Sequence, residues 1–110
     1  MQEAKVQYTI EDIVNKMKKN NKKSDIKLIM KAYNYAKENH GDQLRKSGEP
    51  YIIHPIQVAY TLAELELDDA TICAALLHDV VEDTEVTHQD LINEFGIEIA
   101  EMVEGGTKLS

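Results

Sequence analysis

The chain has 110 residues, 43% hydrophobic and 29% charged, with 12 basic against 20 acidic side chains for a net charge of -8. That length suits one domain with one modest core, so residues 1–110 are read as a single domain, and the acidic excess argues against nucleic-acid binding. No stretch approaches ~18 apolar residues and no leading segment resembles a signal peptide, so no membrane role is expected and the reading is cytoplasmic.

Helical spacing dominates from the start. "TIEDIVNKM" places Thr9 as an N-cap with Asp12 three residues on, and Ile10, Ile13, Val14 and Met17 on one face. A basic run follows (Lys16, Lys18, Lys19, Lys22 and Lys23), with Asn20-Asn21 as a turn; such a run reads as a solvated helix end. Ser24 is expected to cap a second helix with Ile26, Ile29, Met30, Tyr33 and Ala36 inward, stopped by Gly41.

Residues 42–53, "DQLRKSGEPYII", lack a clean period and read as a structured loop with His54 at its end. Pro55 opens a third helix with Ile56, Ala59, Tyr60, Leu62 and Ala63 inward. Asp68-Asp69 begin a fourth, "ATICAALLHDV", whose Cys73 reads as a small buried hydrophobe. A loop from Glu82 to Val86 leads to the capping box "THQD". Leu91, Ile92 and Phe95 then face inward, Gly96 breaks the helix, and "IEIAEMVEGG" makes a short last one. The predicted fold is all-α, five to six helices, without repeats.

The apolar run Ala74–Leu77 ends in His78 and Asp79, with Glu82 and Asp83 just beyond. Carboxylates delivered by a buried helix need a compensating partner: a lysine, water or a metal ion. His54, His78 and Asp79 form a mixed imidazole and carboxylate set, which suits Mn2+, Fe2+ or Zn2+ better than Mg2+ or Ca2+. Beside such an ion, Glu82 and Asp83 have the chemistry to orient or deprotonate a water. Arg45 and Lys46 offer a flat guanidinium and a point charge on the loop that reaches His54. Each of these features also has a plain reading as helix caps or exposed charges.

Taken together, "RKSGEPYIIHP", "AALLHDVVEDT" and "FGIEIAEMVEGGTKLS" resemble the N-terminal hydrolase domain of the RelA/SpoT family, within the HD superfamily of metal-dependent phosphohydrolases. The resemblance runs from about Lys31 to Ser110. It implies an all-helical HD-type bundle, Mn2+ as cofactor, and removal of the 3′-pyrophosphate from guanosine tetra- and pentaphosphate. It further implies His54, His78 and Asp79 as metal ligands and Glu82 and Asp83 as the acids acting on water. Arg45 would pack against guanine, with Lys46 and Ser47 near the nucleotide.

The family's fourth ligand, an aspartate in an "ADRLHN"-like motif further downstream, has no counterpart before Ser110, and Asp90 belongs to a capping box. The expectation is therefore a partial HD domain with weakened metal affinity, uncovered apolar surface and self-association. Two alternatives follow: a catalytically inactive nucleotide- or metal-binding or interaction fragment, and an HD hydrolase of another phosphate ester. "RKSGEPY" speaks against the latter.

Overall fold

Four of the helices begin where a side chain accepts from a free backbone N–H group. The computed structural model describes residues 7–109, with side chains as far as Gly105. Helix α1 (Ile10–Asn20) starts from a reciprocal box in which the Thr9 amide donates to Asp12 Oδ2 at 2.8 Å and the Asp12 amide to Thr9 Oγ1 at 3.3 Å. Helix α2 (Ile26–His40) is capped by Asp25, which accepts from the Leu28 amide at 3.1 Å. Ser24, the expected cap, instead donates its hydroxyl to the Met17 carbonyl. Asp25 lies one residue closer to the first turn and offers two acceptor oxygens.

Helix α3 (Ile53–Glu64) carries Pro55 fully buried in its first turn, where a missing N–H costs nothing. His54 is thus a residue of that first turn and not the end of the preceding loop. Helix α4 (Asp69–Leu77) is capped by Asp68, and a single helical turn, α5 (Val80–Asp83), follows. Glu82 and Asp83 stand on that turn, where a loop was expected. Helix α6 (His88–Phe95) starts from the Thr87/Asp90 box and stops at Gly96, whose φ of 93° is open to glycine.

Helix α7 (Ile97–Leu109) is longer than expected and runs through two glycines. Each mid-helix glycine costs about 1 kcal/mol relative to alanine; burial of Ile99, Ala100 and Val103 offsets it. Apart from the one-turn α5, the described residues form six helices, in line with the all-α expectation, and one isolated bridge pairs Leu44 with Pro50.

Helix α4 occupies the centre and packs on α2, α3 and α7. Ile72 to Leu77 are buried without interruption, so this helix has no solvent face to alternate with. Around it, α1 lies on α2 and α3, and α6 on α7. Small residues set the close approach: Ala32, Ala36, Ala59, Ala63 and Ala100 are all fully buried. The α2 stripe accordingly runs Ile29, Ala32, Ala36 and His40, while Met30 and Tyr33 sit at its half-buried margin.

Polar ties fix the periphery. Gln57 clasps the backbone of Tyr8 from both sides, at 2.9 and 3.0 Å, under a Tyr8–Tyr60 ring stack at 3.7 Å. Asn20 reaches the Ala63 carbonyl at 2.8 Å and joins the ends of α1 and α3. No helix among the described residues is long and apolar enough to cross a membrane.

Candidate metal centre

Central burial of α4 dictates where its last residues go. The chain leaves the helix at His78 and turns into α5 at Asp79, which has φ -95° and ψ -3°. In a continuous helix these neighbours would diverge by about 100°. The break instead brings His78 Nε2 to 3.3 Å from Asp79 Oδ1, both side chains less than one-fifth exposed. His54 comes in from the first turn of α3, its ring centroid 5.7 Å from that of His78. One donor atom from each of His54, His78 and Asp79 lies within 4.8 Å of the other two.

The orientation of His78 follows from its other nitrogen. Nδ1 stands 2.8 Å from the Ala75 carbonyl, which only accepts, so Nδ1 carries a proton and Nε2 is the nitrogen turned to the site. A proton on Nε2 or a metal cation beside it would satisfy this contact with the Asp79 carboxylate at 3.3 Å. Burial, then the charge of Arg45, holds the His54 imidazole below its ordinary pKa, with Asp79 opposing. That favours the neutral ring, the form that ligates metal. Two imidazole nitrogens and a carboxylate oxygen fit one borderline divalent ion by donor type and spacing.

The expected substrate residues lie on a small hairpin. The Leu44–Pro50 bridge is reinforced by the Arg45 amide donating to Glu49 at 2.8 Å, and the Gly48 amide closes the turn on Arg45 at 2.8 Å. Gly48 takes φ 92°, a conformation costly for any side chain, so the turn depends on glycine there. Lys46 and Ser47 stand exposed at the tip, and half-buried Arg45 points its guanidinium to 5.7 Å from the Tyr51 ring centroid. Glu82 is exposed and Asp83 half-buried; both line an open hollow of about 540 Å³ with Asn39, Gln43, Thr84 and Glu85.

Three residues at this site were not singled out from the sequence: His40, Gln43 and Tyr51. The Tyr51 phenol is raised above its usual range by burial and then by the Asp83 carboxylate, with Asp79 adding to the rise and Arg45 opposing it. The available signal was positional. His40 continues the Ile29–Ala36 stripe by one turn, and Gln43 and Tyr51 flank the hairpin.

A second histidine cluster lies on the opposite elements. His88 Nε2 faces Glu101 at 3.4 Å and Nδ1 faces Glu104 at 3.6 Å. Their donor atoms also fall within 4.8 Å of one another. The two ring nitrogens point away from each other, however, and each takes its own exposed carboxylate, so this arrangement clasps α6 to α7.

An all-helical bundle with a histidine–aspartate pair at the end of its central helix defines a divalent-metal domain. The chain belongs to the HD-domain family, whose model matches residues 32–110. Membership implies a bound divalent metal, and the His54, His78 and Asp79 set is one group able to hold it.

The chain is 57% identical over 81 residues to a guanosine-3′,5′-bis(diphosphate) 3′-pyrophosphohydrolase of Aquifex aeolicus, covering 74% of this chain and 12% of that protein. It is 55% identical over 84 residues to the bifunctional (p)ppGpp synthase/hydrolase SpoT of Escherichia coli, covering 76% of this chain and 12% of that protein. A GTP pyrophosphokinase of Myxococcus xanthus is 54% identical over 86 residues, covering 78% and 11%. The chain thus spans about an eighth of the length of these relatives.

Proposed function

We propose that this chain is a module of a Mn2+-dependent, cytoplasmic hydrolase that removes the 3′-pyrophosphate from guanosine tetra- and pentaphosphate. The observation that carries the reading is the convergence of His54, His78 and Asp79 beside the Arg45–Ser47 hairpin, in a chain 57% identical to a relative named for that reaction.

In this reading His54, His78 and Asp79 hold the ion. A divalent ion supplies positive charge that lowers the pKa of a water and offsets phosphate charge. Glu82 and Asp83 orient the attacking water and accept its proton. The flat guanidinium of Arg45 seats the guanine, and Lys46 and Ser47 contact the nucleotide from the hairpin tip. Leu44, Leu65, Leu67 and Ile97 are 40–65% exposed, and burying such side chains favours self-association.

Pyrophosphate release from guanosine tetraphosphate with added Mn2+ tests the assignment. Release that Asp79→Ala lacks is the expected result; equal release by the variant contradicts the site. Light scattering tests association, and a monodisperse monomer contradicts it.

A further inference from the structure

Asp83 is held from outside its own helix. Its turn, α5, has four residues and makes too few internal bonds to fix a side chain unaided. The Gln43 amide Nε2 donates to the Asp83 carbonyl at 2.8 Å. A carbonyl only accepts, so this bond sets the orientation of the amide and turns Oε1 toward His40 Nδ1, 3.4 Å away. Nδ1 is therefore the protonated nitrogen of His40.

The ring of His40 is 2% exposed and lies flat on Tyr51, with centroids 5.0 Å apart and planes at 7°. Its Nε2 has no hydrogen-bond partner among the described residues. A buried unpaired polar atom is destabilising, and a phenyl ring of the same shape avoids that cost. What the imidazole supplies beyond a phenyl is the Nδ1–H donor to Gln43. The Tyr51 phenol faces the field of the Asp83 carboxylate, and its ring has the Arg45 guanidinium 5.7 Å from the centroid.

We infer that His40, Gln43 and Tyr51 form a brace that positions the Asp83 carboxylate for the attacking water and ties it to the hairpin bearing Arg45. Gln43 holds the main chain of Asp83, the Tyr51 phenol faces its carboxylate, and His40 locks both. These are positioning residues: they act through Asp83. The inference rests on the proposed hydrolase activity and deepens it.

The test is steady-state pyrophosphate release at saturating Mn2+ by the wild type, Tyr51→Phe, Asp83→Asn and the double variant, with Mn2+ affinity measured alongside. Tyr51→Phe keeps the ring stack and loses only the phenol. Its kcat should fall about ten- to a hundredfold, the range for outer supporting contacts, with Mn2+ affinity unchanged. KM should stay within about twofold, and the substitution should cost nothing further in the Asp83→Asn background.

Gln43→Met should lower kcat in the same sense and serves if Tyr51→Phe does not fold. Wild-type kcat in both variants, or losses that multiply in the double variant, overturns the brace alone. No release by the wild type overturns the hydrolase reading and the role of the brace with it.

Discussion

Two histidine-centred clusters stand on this fold, and they differ in what holds the imidazole. At His78 one ring nitrogen is committed to a backbone carbonyl, so the other is free and aimed at Asp79 and His54 in a half-buried recess. At His88 each nitrogen faces its own carboxylate on an exposed surface. The residue types are nearly the same. The committed Nδ1 and shared burial distinguish the candidate cation site from an exposed polar clasp.

The largest effect should separate the two clusters on activity. Asp79→Ala should reduce Mn2+-dependent pyrophosphate release to background, while His88→Ala should leave it unchanged. On stability, Leu76→Ala should cost about 2–5 kcal/mol by chemical denaturation, because it opens a cavity under the helix that delivers His78. Mn2+ at a hundred times its Kd should raise stability by about 2.7 kcal/mol in the wild type and not in Asp79→Ala.

His88→Ala should cost only about 0–1 kcal/mol, less in high salt, since its carboxylate partners are exposed. A larger loss, or a loss of bound metal, would reverse the assignment of the two clusters.

Between these extremes, Cys73 reports on the integrity of the central helix. Burial pushes its thiol up to about 12 from an ordinary 9.0, with nearby Asp69 adding to the rise. The folded chain therefore keeps the thiol proton where the unfolded chain loses it. Stability from this group is intact below pH 9 and falls above it, by about 1.4 kcal/mol per pH unit. Cys73→Ala should flatten that alkaline decline in denaturation midpoints, and the native thiol should resist a disulfide reagent at pH 8.

Most of the architecture was legible because it is written in local chemistry. The Thr9/Asp12 and Thr87/Asp90 boxes, the stop at Gly41 and the buried run around Cys73 all stand as the sequence suggested. The cap of α2 was misplaced by one residue because Ser24 and Asp25 are both good caps, and only packing decides which one turns inward. Glu82 and Asp83 read as loop in the sequence because a single turn of four residues is too short to show a period.

Of the candidate site, His54, His78 and Asp79 stand out in the sequence by type and order, while their meeting depends on the α4–α5 break. The supporting group was harder to see. His40 looks like an ordinary polar helix end, and Gln43 like a loop residue, until the hairpin folds back and lays Tyr51 on the imidazole. Such contacts join positions 40, 43, 51 and 83 and leave no trace in any short window.

The most direct test of a single metal centre at the end of α4 is calorimetric titration of Mn2+ into the wild type, Asp79→Ala and His88→Ala. One ion per chain should bind the wild type and His88→Ala alike, and none should bind Asp79→Ala. Binding that survives Asp79→Ala but disappears in His88→Ala would place the metal on the α6–α7 clasp and contradict the proposed centre.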